Sequence, residues 1–176
     1  MKDPASVSMP PPSPTPELYR PLVNKAVDAN EAGQYDEARR RYNEIIAKDP
    51  TGAEADYCRG ELALMDDKYQ QAVNCFTAAL AKNPRLETAY NDRGNAYRHL
   101  GDENKAISDY SVAMLLGPGP VHWVCRARSY LAKKDYYKAM QDATTAINKD
   151  RNYSPAYAAR AEAWVGLNNS EQAQID

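Results

Sequence analysis

A 34-residue period constrains this chain more than any other feature. Ala38 in YDEA, Ala72 in YQQA, Ala106 in ENKA, Ala139 in YYKA and Ala173 in SEQA follow one another at spacings of 34, 34, 33 and 34. Pro50, Pro84 and Pro118 keep the same period, at 34 and 34. Two residue types on one period mark a structural unit that cannot bury its apolar face alone and stacks on copies of itself. Within each unit a second series of small residues, Gly60, Gly94, Ala127 and Ala161, precedes the alanines. Two helices that face each other through such positions can approach closely. The prolines lack an amide donor and cannot continue a second helix, so each ends its unit. Pro120 and Pro155 fall where a following first helix begins and a missing N–H costs nothing. These signals predict an all-α chain of antiparallel helix hairpins, with first helices over 19–32, 53–66, 87–100, 120–133 and 154–167 and a second helix after each. The junction Gly117-Pro118-Gly119-Pro120 is rich in turn formers, which fits a tight loop or a local change of superhelical pitch.

From about Glu17 to the C-terminus the chain resembles the tetratricopeptide repeat family, whose unit reads W-x2-L-G-x2-Y, then A-x3-F, then P. The third copy matches through Tyr90, Gly94, Tyr97, Ala106, Tyr110, Ala113 and Pro118, with Arg93 where Leu is usual. The second supplies Gly60, Ala63, Ala72, Phe76, Ala79 and Pro84. The fourth has Trp123, Ala127, Tyr130, Ala139 and Ala146, but Ala143 at the aromatic position and Arg151 at the proline position. The resemblance implies a right-handed α-solenoid, with repeats at about 19–52, 53–86, 87–119, 120–153 and an incomplete 154–176. The segment 1–16 (MKDPASVSMPPPSPTP) has almost no apolar periodicity and is expected to be a disordered tail. Solenoids need a capping element with a polar outer face. With only two turns of a second helix in the fifth repeat, either the chain belongs to a longer protein or its open end packs against something, another copy included.

Composition narrows the function classes. With 22 basic against 24 acidic residues and a net charge of -2, the chain lacks the cationic excess that binding to a phosphate backbone requires, so no nucleic-acid partner is expected. No stretch approaches the roughly 18 apolar residues of a membrane span, and the N-terminus has no secretion-signal pattern. A cytoplasmic location is the expectation, unless a removed signal preceded Met1. Cys58, Cys75 and Cys125 form no CxxC pair and have no histidine at ligand spacing, so they read as small buried residues and no metal or cofactor is expected. His99 and His122 stand at the end and start of successive first helices, and Asp66-Asp67 at a hairpin turn. No nucleophile elbow, phosphate loop or HExxH helix accompanies them, so the chain is not expected to be an enzyme.

Arg59, Arg93, Arg126 and Arg160 share one repeat position, with Lys25 in the first copy; Asp109, Asp142 and Asp176 lie sixteen residues after the last three. This predicts a ladder in which each Arg bridges to the Asp of its own hairpin, or else a basic stripe for an acidic ligand. In the family, first helices line a concave groove that takes extended peptides. The resemblance therefore implies a groove containing Tyr57, Glu61, Asn91, Asn95, Arg98, Val124, Arg128 and Leu131. Paired carboxamides such as Asn91 and Asn95 can serve both donor and acceptor of a peptide backbone. Arg98 and Arg128 can hold a carboxylate through forked hydrogen bonds. Family members that clamp the C-terminal carboxylate of heat-shock chaperones use Lys and Asn, then Asn, then Lys and Arg on three first helices. Here those positions read Tyr57, Glu61, Asp92, Val121 and Cys125, or, one repeat later, Asn91, Asn95, Cys125, Pro155 and Ala159. Starting one repeat earlier they read Val23, Val27, Cys58, Thr88 and Asp92. A chaperone tail is therefore not the expected ligand. The expected function is that of a non-catalytic scaffold or adaptor for a partner peptide or protein. Self-assembly through the uncapped repeat, giving a homo-oligomer, and a regulatory segment of a larger enzyme are the alternatives.

Overall fold

The computed structural model describes residues 16–172, with side chains from 19 to 168. The tail expected over 1–16 falls almost entirely outside the described residues, and so does Asp176. The described residues form nine helices and no strand: α1 Pro16–Glu31, α2 Tyr35–Lys48, α3 Ala53–Met65, α4 Tyr69–Lys82, α5 Glu87–His99, α6 Glu103–Leu116, α7 Pro120–Ala132, α8 Tyr136–Lys149 and α9 Ser154–Gln172. Helices consecutive in sequence pack against each other. Each first helix also touches the first helix of the next hairpin, α1 to α3, α3 to α5, α5 to α7 and α7 to α9, whereas among the described residues no two second helices come as close. The stack is therefore an α-solenoid curved toward the odd-numbered helices, which line its inner face.

Two devices fix the hairpins. The first is the turn. A residue with positive φ follows α1, α3, α5 and α7: Gly33 (74°), Asp67 (57°), Gly101 (79°) and Lys134 (60°). The next amide reaches back five residues, from Gln34 to Ala29 O at 2.8 Å, Lys68 to Ala63 O at 2.8 Å, Asp102 to Tyr97 O at 2.9 Å and Asp135 to Tyr130 O at 2.9 Å. This left-handed reversal satisfies carbonyls the helix end would leave unpaired. Asp102 and Asp135 then cap α6 and α8, accepting from the amides of Lys105 and Lys138.

The second device is a sixteen-residue register between paired helices. A β-carbon at Gly60 would lie 2.4 Å from the Phe76 ring, and one at Gly94 would lie 2.7 Å from the Tyr110 ring. Ala26 and Tyr42 stand in the same relation in the first hairpin, both fully buried. In the fourth, the ring shrinks to Ala143 and the opposing residue grows to Ala127, both again fully buried. Small faces large in the first three hairpins, as close packing requires, and two small residues meet in the fourth.

The junction before α7 is a tight loop, in which the Gly119 amide reaches Gly117 O at 2.8 Å and Pro120 opens the helix. Two boundaries differ from expectation, the first being α1, which begins at Pro16 and not at 19. The period stops a first helix near Leu167, but α9 continues to Gln172. Among the described residues no helix is long and apolar enough to cross a membrane.

Candidate interaction site

The Arg–Asp ladder is present in both rungs that lie within the described residues. Arg93 Nε and Nη2 donate to Asp109 Oδ2 and Oδ1, each at 2.8 Å. Arg126 makes the same fork to Asp142, at 2.7 and 2.8 Å. The third guanidinium nitrogen reaches across to the previous second helix, from Arg93 to Thr77 Oγ1 at 3.1 Å and from Arg126 to Ser111 Oγ at 2.9 Å. Each Arg thus ties its own hairpin to the one before, and the adjacent carboxylate holds its pKa above the ordinary arginine value. Arg59 departs from the pattern because Cys75 stands sixteen residues on. It pairs instead with Asp56 at 2.6 Å and donates to Pro50 O at 2.7 Å. These arginines are internal braces, not a ligand stripe.

The inner face is built differently from the expectation. Tyr57 (2% exposed), Glu61 (6%), Val124 (2%) and Leu131 (8%) are buried, so they hold hairpins together and present little to a ligand. Repeat position indicates which way a Cβ points, and neighbouring helices then close over it. The Tyr57 ring lies 5.6 Å from Phe76, and its hydroxyl donates to Asp92 Oδ2 at 2.9 Å, one hairpin on. Glu61 Oε2 accepts from the Tyr42 hydroxyl at 3.0 Å.

Asp92 is a hub that the sequence reading did not single out. It also accepts from Asn91 Nδ2 at 3.0 Å and, more weakly, from Asn95 Nδ2 at 3.4 Å. The two carboxamides are thus already engaged. Asn95 Oδ1 accepts from the Tyr110 hydroxyl at 2.8 Å, and Asn91 Oδ1 lies 3.0 Å from His122 Nδ1, whose other ring nitrogen meets Glu87. Glu61 and Asp92 both have pKa values above the carboxylate range, with burial the largest cause in each. Glu61 Oε1 has no hydrogen-bond partner while it is ionised. As a carboxylic acid it can donate to Asp92, so a proton retained between the two acids satisfies that oxygen. The sequence signal was available, in the 35-residue spacing of Tyr57 to Asp92 and in the run Asn91-Asp92 on one inner helix.

Two accessible places on the inner face carry cationic side chains among the described residues. Where the N-terminal halves of α1, α3 and α5 meet, a cavity of about 590 Å³ is lined by Arg20, Asn24, Arg85, Thr88, Leu116 and the edge of Tyr57. Arg20 and Arg85 are exposed there, and the sequence reading missed both. Buried Glu54 at its wall has a raised pKa, chiefly from desolvation. Farther along, half-buried Arg98 on α5 and exposed Arg128 on α7 both bear electrostatically on Cys125. Arg98 Nε has no hydrogen-bond partner. The thiols are poor nucleophiles: burial pushes Cys125 up to about 11 and Cys58 higher still. Of the other polar residues singled out, His99 stacks on Tyr69 at 4.4 Å, and Asp66 pairs with Arg39 at 2.6 Å and Lys68 at 2.9 Å.

Comparison with known proteins agrees with this architecture. Human DnaJ homolog subfamily C member 7 is 27% identical over 180 residues, covering 92% of this chain and 36% of that protein. Rat RNA polymerase II-associated protein 3 is 35% identical over 86 residues, covering 48% of this chain and 13% of that protein. The chain therefore spans well under half the length of these relatives. Among solved structures, the first TPR of Spaghetti (RPAP3) bound to the HSP90 peptide SRMEEVD superposes with a TM-score of 0.64 at 20% identity, covering 66% of this chain and 93% of that one. The Arabidopsis OM64 TPR domain gives 0.62 at 23% identity, covering 64% and 93%. At these identities the likeness shows the fold alone. The family model described as tetratricopeptide repeat matches residues 23–72 and 66–119, more than half of the chain, and the chain belongs to the tetratricopeptide repeat family.

Proposed function

We propose that this chain is a non-catalytic adaptor that holds an extended segment of a partner protein against the inner face of α1, α3, α5 and α7. The observation that carries this reading is the cavity of about 590 Å³ on that face, where Arg20, Arg85, Asn24 and Asn83 stand with Glu54 and Glu87 around apolar side chains. Arg20, Arg85, Arg98 and Arg128 favour a ligand with carboxylate side chains. Asn24 and Asn83 at the cavity can serve a peptide backbone as donor and acceptor. One of the solved neighbours was determined with a chaperone-tail peptide. A ligand of that type suits this chain poorly, because the positions of a carboxylate clamp carry Tyr57, Glu61, Asp92, Val121 and Cys125. None of these side chains offers an amine or guanidinium to a terminal carboxylate.

The test uses peptides selected by the wild-type chain from a random library. Arg98→Ala combined with Arg128→Ala is expected to weaken the selected peptides about tenfold or more, the equivalent of about 1.4 kcal/mol. Unchanged affinity would remove these two residues from the site.

A further inference from the structure

We propose that the groove between α8 and α9 is a second docking surface, separate from the inner face, and that its ligand is an amphipathic helix of a partner protein with an acidic residue beside its apolar stripe. The groove has a volume of about 1240 Å³. One wall is Tyr157, Arg160, Ala161, Trp164 and Val165, spaced i, i+3, i+4, i+7 and i+8 on one face of α9. The other is Tyr137, Met140, Gln141, Thr144 and Thr145, at the same spacing on α8. Two helix faces with this spacing form a trough into which a third helix sets its ridges, anchored by side chains three and four residues apart. Ala161, small and central on its wall, leaves room there for one large side chain. Trp164 (60% exposed), Tyr137 (60%), Val165 (55%) and Tyr157 (41%) stand open, and α9 runs on as one helix to Gln172, so the described chain does not cover them. Exposed Trp and Tyr beside Arg are the residue types that carry most of the energy of protein interfaces.

Charge selects the ligand. Asp142 is the one carboxylate on the groove's described walls, and Arg126 already holds both of its oxygens. Arg93 and Arg126 each grip a carboxylate, whereas Arg160, at the same repeat position, has no carboxylate partner among the described residues. Its guanidinium lies 5.4 Å from the centre of the Tyr157 ring. A cation without a counter-ion at an apolar trough favours a ligand that brings a carboxylate together with apolar side chains. A second copy supplies neither. Two such grooves paired with each other would bring four arginines into one interface with only the two engaged carboxylates of Asp142. The four open side chains also expose roughly 400 Å² together, about half of the roughly 800 Å² that each partner of a stable dimer contributes. That area suits a single helix.

A phage-displayed library of helices about 16 residues long tests this on the full chain, with Leu, Phe, Met or Trp along one face and Glu, Ser or Lys varied at the flanking positions. Enriched helices are expected to carry Glu at a flank, to perturb amides of α8 and α9, and to bind Trp164→Ala at least tenfold more weakly. Arg160→Glu is expected to reverse the preference from Glu to Lys, a result that misfolding cannot imitate. Enrichment of Lys as often as Glu would overturn the proposal, as would helices that perturb α1, α3 and α5 instead. Tryptophan emission that moves to the blue as the chain alone is concentrated would make a second copy the occupant. A tenfold gain in affinity on deleting residues 173–176 would make it the chain's own end.

Discussion

The Phe76 ring leaves no room for a β-carbon at Gly60, yet the same register carries alanine on both helices in the fourth hairpin. Gly60→Ala is accordingly expected to cost about 2 kcal/mol by overpacking. In a Phe76→Ala background the same change is expected to cost markedly less, because it recreates the Ala127/Ala143 solution. Urea melts of the two single variants and the double variant measure that coupling. Asp142→Ala removes the partner of Arg126, and a loss of about 3 kcal/mol is expected, the lower end of the range for a broken buried pair because the guanidinium keeps some contact with water. Glu61 adds a pH dependence. Its folded pKa lies above that of the unfolded chain, so the folded state holds the extra proton. The associated stability is fully present below the ordinary carboxylate range and is lost as pH rises through the folded value. Glu61→Gln keeps the shape and removes that titration. Its stability relative to wild type is expected to increase from pH 4 to pH 8, and a difference independent of pH would contradict the retained proton.

The first three hairpins combine a small-against-large register with a proline after the second helix, and both could be read in the sequence because each rests on residue types that few alternatives replace; the fourth sets Ala127 against Ala143 and carries Arg151 in place of the proline. The predicted C-terminal ends of the first helices fall within one residue of those observed from α1 to α7. Gly101 stands at φ 79°, with open space around the site of a β-carbon. Gly101→Ala is therefore expected to cost about 1 kcal/mol through the backbone alone, measured by thermal melting. The ladder was equally legible, since charge pairs at a fixed register follow from the period. The inner face was not. Repeat position predicts the direction of Tyr57, Glu61, Val124 and Leu131, but their burial depends on how far the next hairpin closes over them. Arg20 and Arg85 were missed for the converse reason: they sit at a helix start and in a loop, positions that the repeat pattern does not assign to a groove.

In the whole molecule each hairpin touches mainly its neighbours, so stability is a sum of local terms and the ends are the weakest part. Amide exchange is expected to be slowest in α3 to α6 and fastest in α9, with its uncovered groove. Curvature places four first helices on one inner surface, the proposed seat of a partner segment. Chemical-shift mapping of the isotope-labelled chain during titration with a library-selected peptide tests this most directly. The expected result is a continuous band of perturbed amides on α1, α3, α5 and α7, including Arg20, Thr88 and Arg98. Perturbations confined to α2, α4, α6 and α8 would contradict it.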